Sequence, residues 1–68
     1  MTTRQQLDFV LKHYPHASVE QRGRYSFRVS YVAGGLEKFM PATTRELAVR
    51  NAYELVLEEV ESEYPTHS

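Results

Sequence analysis

Between residues 24 and 33 the chain alternates with a period of two. Tyr25, Phe27, Val29 and Tyr31 are apolar, Ser26, Arg28 and Ser30 between them are polar, and the run stops at Gly34-Gly35. Successive side chains of a strand point to opposite faces, so this pattern demands a strand with one core face and one wet face. Adjacent glycines accept the positive φ angles of a two-residue hairpin turn, so a second strand returns over residues 36–41. Pairing across that turn sets Val29 opposite Met40 and Ala33 opposite Leu36, apolar against apolar. Upstream, Gln21-Arg22-Gly23 reads as a three-residue loop with glycine in the left-handed position. That register sets Val19 opposite Tyr25 and Ala17 opposite Phe27 and adds a strand over residues 17–21. A two-residue loop would turn Val19 to the wet face.

Helical patterns flank the strands. Thr3 and Gln6 have capping-box spacing, Leu7, Val10, Leu11 and Tyr14 form one apolar stripe, and Pro15 stops the run, which predicts a helix over residues 3–14. After Pro41, Thr43 and Glu46 again have capping-box spacing. Ala48, Val49, Ala52, Tyr53, Leu55, Val56 and Val60 then form a broad apolar arc, with Glu46 and Arg50 as an i,i+4 pair. This predicts a second helix over residues 43–63 and a frayed tail over residues 64–68. The expected fold is α+β: a three-stranded antiparallel sheet with two helices packed on one face, in the order α-β-β-β-α, as one domain spanning residues 1–68.

Length and charge narrow the function classes. A 68-residue chain without cysteine has neither a disulfide framework nor a Cys-based zinc site. A core this small supplies only about a few kcal/mol of stability, so a homodimer or a protein partner is the expected staple. No apolar run approaches the roughly 20 residues that span a bilayer, and Met1–Gln6 holds no signal-peptide core. The expectations are a cytoplasmic protein and no membrane partner. The net charge of -1 is unevenly spread. Residues 1–32 carry Arg4, Lys12, Arg22, Arg24 and Arg28 against Asp8 and Glu20. Residues 33–68 carry Lys38, Arg45 and Arg50 against Glu37, Glu46, Glu54, Glu58, Glu59, Glu61 and Glu63. A chain balanced in this way is not a bulk polycation and does not bind nucleic acid by charge alone.

Two surfaces are candidate sites. The wet face of the sheet presents Arg24, Ser26, Arg28, Ser30, Val32, Glu37 and Phe39. Arg22, Arg24, Arg28 and Phe39 have the chemistry to meet phosphates or an acidic protein, or to be a solvated sheet face. The second helix presents Glu54, Glu58 and Glu61, with Glu59 and Glu63 beside them and Leu57 at the edge of the apolar arc. That face suits a basic protein groove or is simply solvated. Glutamates near a helix C-terminus oppose the macrodipole, a small local cost. His13, His16 and His67 lack further ligands in sequence, so no metal is expected. There is no G-x-S-x-G elbow and no glycine-rich phosphate loop. Paired carboxylates lie only on an exposed helix face, where nothing shifts their pKa. These absences predict a non-catalytic chain without cofactor.

The element order and length resemble the double-stranded RNA-binding domain. Tyr25-Ser26-Phe27-Arg28-Val29-Ser30-Tyr31-Val32-Ala33-Gly34-Gly35 looks like that family's middle strand and turn. Thr43-Thr44-Arg45-Glu46-Leu47-Ala48 stands where the family opens its second helix. The resemblance implies that topology and an RNA grip at the second helix. The family's lysine cluster is reduced here to Arg45, and its Gly-Pro-x-His loop is replaced by Gln21-Arg22-Gly23. Residues 17–54, with Phe39, Thr43, Glu46, Ala48, Ala52 and Tyr53, also resemble three-strand-plus-helix DNA readers of the AP2 and integrase arm-binding types. That likeness implies an open sheet face entering the major groove through Arg24 and Arg28. The leading expectation is a non-catalytic protein-interaction module that docks through the acidic face of the second helix, Glu54, Glu58 and Glu61 with Leu57. Its size is that of the accessory or inhibitory proteins phages and mobile elements encode. Nucleic-acid binding through the sheet face is the alternative, and a small enzyme a distant third.

Overall fold

The computed structural model describes residues 1–63. Its elements are α1 (Thr3–His13), β1 (Ser18–Gly23), β2 (Ser26–Ala33), β3 (Leu36–Ala42) and α2 (Arg45–Glu63). The strands form one antiparallel sheet in the order β1-β2-β3. The tail expected over residues 64–68 lies outside the described residues.

The first helix starts at Thr3 as expected and the second at Arg45, two residues later than expected, and in each the capping threonine is the neighbour of the one expected. For α1 the cap is Thr2, whose hydroxyl accepts from the Gln5 N–H at 3.1 Å while the Gln5 side chain accepts from the Thr2 N–H at 2.8 Å. For α2, β3 runs on to Ala42, so Thr43 is used in the bend. Thr44 then caps, its hydroxyl accepting from the Leu47 N–H at 3.1 Å. Arg50 pairs with Glu54 at 3.6 Å rather than with Glu46. At the other end of α1, the Tyr14 N–H donates to the Val10 carbonyl at 2.8 Å before Pro15 forbids another turn.

The β2–β3 hairpin follows the expected register, with Val29 on Met40 and Ala33 on Leu36. Gly34 and Gly35 have φ of 61° and 81°, as a type I′ turn requires. That turn makes Ala33–Leu36 a hydrogen-bonded pair, and the alternation along the ladder makes Arg28–Pro41 a non-bonded one. Pro41 therefore lies within β3 instead of ending it, because its missing N–H faces the free edge.

The β1–β2 connection corrects the sequence reading. Val19 pairs with Val29, Ser18 with Ser30 and Gln21 with Phe27, with an irregularity between Gln21 and Gly23. The turn is Arg24-Tyr25, Gly23 is not left-handed, and Tyr25 is 73% exposed instead of lining the core. The register differs from the expected one by four residues. An even shift leaves Val19 on the same face, so hydrophobic patterning cannot separate the two. The longer pairing also sets Glu20 opposite Arg28, a favourable cross-strand pair.

The core is Val10, Val29, Tyr31, Ala48, Val49, Ala52 and Val56. α2 packs across β2 and β3 and reaches β1, while α1 packs against α2. Phe9 meets Tyr53 edge-on at 5.1 Å. With Leu7 and Tyr14 it joins the core rim, where the apolar stripe had suggested Leu11.

Candidate functional site

With the helices on the Val29/Tyr31 side, the opposite face of the sheet is open. The pairings place Ser18, Ser30 and Phe39 in one row across it, Glu20, Arg28 and Pro41 in a second, and Val32 beside Glu37 in a third. Phe39 is 43% exposed and Val32 42%. Ser30, in reach of the Ser18 hydroxyl at 3.1 Å, is nearly buried even on this face.

Arg28 is already engaged. Its Nε and a terminal nitrogen donate to Glu20 Oε1 at 3.1 and 2.6 Å, and its guanidinium lies 4.4 Å from the centre of the Phe39 ring. Those hydrogen bonds hold the Glu20 carboxyl below the ordinary carboxylate range, against a smaller opposing desolvation. Arg22 stands 3.8 Å from the same carboxyl oxygen. Arg24 lies in the exposed β1–β2 turn. The structure thus brings Arg22, Arg28 and Phe39 together around Glu20, a residue that the sequence reading left out of this face, and sets Arg24 apart at one end. The i to i+8 pairing of Glu20 with Arg28 depends on the hairpin register, which the sequence pattern leaves open.

On α2, Glu54, Glu58 and Glu61 are exposed and Leu57 is half-buried. Glu59 behaves differently. Its carboxylate accepts hydrogen bonds from the Tyr14 hydroxyl at 3.2 Å and the Tyr31 hydroxyl at 3.3 Å, and it pairs with the Lys38 ammonium. Tyr14 and Tyr31 stack with ring centres 4.6 Å apart. Burial, with the Glu59 charge added, pushes the Tyr31 phenol far above its ordinary value. This knot ties the end of α1, β2, β3 and the last turns of α2 together. A sequence signal for it existed. Lys38 falls on the core face opposite Tyr31, and a cation there needs a counter-charge. Glu59 follows Ala52 by seven residues and Val56 by three, which places it on the buried arc. Next to the knot, Tyr14, Ala33, Gly34, Lys38, Leu55 and Glu58 line an open hollow of about 520 Å³.

The histidines have structural partners. The His16 Nε2 accepts from the Val32 N–H at 2.8 Å, filling the place of a backbone acceptor where β1 has not yet begun. The His13 ring is tilted against Phe9 with ring centres 4.7 Å apart, and His67 lies outside the described residues. Among the described residues no three His, Cys, Asp or Glu side chains converge in a metal-binding group, and no helix is long and apolar enough to cross a membrane.

The α-β-β-β-α order that the first resemblance implies is present, as is the three-stranded sheet followed by a helix that the second implies. No family model, curated protein or solved structure matches the chain.

Proposed function

We propose that this chain is a non-catalytic protein-interaction module whose docking surface is the open face of its sheet. It acts by occupying a partner's surface, as an accessory or inhibitory protein does. The observation that carries this reading is the state of Arg28. A phosphate-reading arginine presents its guanidinium fork to the ligand, whereas this fork is filled by Glu20 and its plane is spread over Phe39. The result is a platform whose central charge is neutralised, with Phe39 and Pro41 along its β3 edge, Val32 at the end near the β2–β3 turn, and charges of both signs beside them. Aromatic side chains and arginine in such a setting are typical of protein interfaces. The same feature weakens the nucleic-acid alternative through Arg24 and Arg28.

A second reading places the contact on the acidic face of α2. Glu58 and Glu61 have no cationic partner among the described residues, so with Glu54 and Leu57 they form a surface suited to a basic protein groove.

The test is capture from native lysate, with and without nuclease, by wild type and by a Phe39→Ser/Val32→Thr variant of unchanged circular dichroism. The expected result is a defined protein retained after nuclease treatment and lost with the variant. Loss through Glu58→Lys/Glu61→Lys instead transfers the site to α2. Tight duplex binding at physiological salt, abolished by Arg24→Ala/Arg28→Ala, overturns the proposal.

A further inference from the structure

Both helices run the same way along the sheet, and the two ends they connect differ in charge. β3 finishes at Ala42, opposite Phe27, so α2 starts at the end of the sheet that carries the β1–β2 turn. Thr3 and Gln6 of α1 share a hollow with Thr44 and Leu47 of α2, which sets the start of α1 there too. At the far end Tyr14, Lys38 and Glu59 meet beside the β2–β3 turn. Glu37, Glu58 and Glu61 are exposed at that far end, against Lys12 in the last turn of α1.

The end with the β1–β2 turn is the cationic one. Arg4, Arg24 and Arg45 are exposed there, and none has a hydrogen-bond or ion-pair partner among the described residues. Arg22 borders them, and the Glu20 carboxylate beside it is taken by Arg28. Against these cations stands Glu46, in the first turn of α2, while Glu54 pairs with Arg50. Tyr25 shares the turn with Arg24, is 73% exposed, and has no ring contact or hydrogen bond among the described residues. The placement of Arg4 and Arg45 works against stability, since a cation in the first turn of a helix opposes the macrodipole.

We infer that this end of the molecule docks an acidic stretch of a partner protein, with the free arginines taking its carboxylates and Tyr25 lying against its chain. The inference rests on the chain being a protein-interaction module, and not on the open face. Charge complementarity selects an acidic occupant. Guanidinium forks bind carboxylates through paired hydrogen bonds, and arginine and tyrosine dominate contacts between proteins. β1 and β3 stand about 10 Å apart, so an extended segment of about four residues at ~3.3 Å each crosses this end of the sheet. A nucleic-acid duplex fits less well. Glu46 would meet its phosphates, and three free guanidiniums release too few counterions to hold it at physiological salt.

The test is an NMR titration of the isotope-labelled chain with hexaglutamate, with hexalysine and a short RNA duplex as the other arms. Hexaglutamate is expected to move the amides of residues 23–26 and 44–46, with a midpoint that rises with salt. Arg24→Glu/Arg45→Glu should weaken it by about ten-fold or more, and Tyr25→Ser by several-fold. Arg45→Glu alone should weaken binding while raising the melting temperature slightly, because the new carboxylate suits the helix start. That opposition of sign separates docking from folding. Unmoved amides, equal binding of hexalysine, or indifference to the double variant overturns the inference. So does a duplex held more tightly than hexaglutamate at physiological salt through the same arginines. A chain that ignores hexaglutamate yet captures a lysate protein, and loses it with Phe39→Ser/Val32→Thr, overturns this site and leaves the open face standing. Hexaglutamate bound as expected, with capture indifferent to Phe39→Ser/Val32→Thr, supports this site and removes the open face.

Discussion

The two faces of the sheet are built from the same strand by alternate residues, yet they differ in what they tolerate. On one face Val29 and Tyr31 are 0% and 1% exposed beneath α2. On the other, Arg28 and Ser30 alternate with them in sequence, and Phe39 and Val32 remain more than two-fifths exposed. Each face also holds one engaged carboxylate. Glu59, on the covered side, gathers Tyr14, Tyr31 and Lys38 and joins four elements. Glu20, on the open side, gathers Arg28 and Arg22 and joins two neighbouring strands. The covered face spends its polar groups on holding the fold. The open face balances its charges without covering its apolar residues, and that difference marks it as the surface left for a partner.

The sharpest way to break this contrast is to place a carboxylate on each face in turn. Val29→Asp buries an unpaired charge at the centre of the core, with a cost above about 3 kcal/mol. A domain of this size has little more than that to lose, so the variant is expected to be unfolded by circular dichroism at room temperature. Phe39→Asp forfeits a cation–π contact worth about 0.5–1 kcal/mol but gains a carboxylate near Arg28, so it should remain folded. Equal melting of the two variants would erase the distinction between the faces.

Much of this contrast was legible before any coordinates. The alternation from Phe27 to Tyr31 fixes which side chains face inward, and Gly34-Gly35 fixes the turn and with it the β2–β3 register. β1 is less readable for a physical reason. Val19 is its one large apolar residue, and every even shift of register keeps Val19 inside. The true pairing, and with it the Glu20–Arg28 contact, depends on polar cross-strand partners and on an irregularity that hydrophobic periodicity does not register. The threonine pairs at both helix starts posed the same difficulty on a smaller scale. Either threonine can cap, and the length of the preceding segment decides. Glu59 was grouped with the exposed glutamates because charge outweighed position. Its place on the buried arc, facing an inward Lys38, carried the information.

Alkali should act on the covered face. The Tyr31 phenol is raised by burial and by the adjacent Glu59 carboxylate. Its proton is therefore held more tightly in the folded chain than in the unfolded one, whose tyrosine ionises near 10. Stability from this group is complete below pH 10 and is lost as pH climbs from there toward the higher folded value. Urea midpoints measured through that range should fall for wild type and fall less steeply for Tyr31→Phe, which starts lower for want of the hydroxyl's hydrogen bond. Parallel slopes would mean that the Glu59 knot does not govern alkaline unfolding.

Acid should act on the open face, and more gently. The Glu20 carboxyl is held below its ordinary 4.5 chiefly by the hydrogen bonds from Arg28. A depressed folded value means the contribution is complete above pH 4.5 and disappears as pH falls through the lower folded value. With two-fifths of the Glu20 side chain exposed, water and salt screen the pair, so the effect on melting is expected to be the smallest of those described and to shrink further with added salt. The direct measurement is the titration of the Glu20 carboxyl carbon by NMR, in wild type and in Arg28→Lys. A lysine lacks the planar fork and spreads less well over Phe39, so the midpoint should move up toward the ordinary value in the variant. A wild-type midpoint at or above 4.5 would mean that Arg28 is free in solution. The platform would then present an unengaged guanidinium beside Phe39, and the phosphate-reading alternative would regain the ground that the Arg28–Glu20 contact took from it.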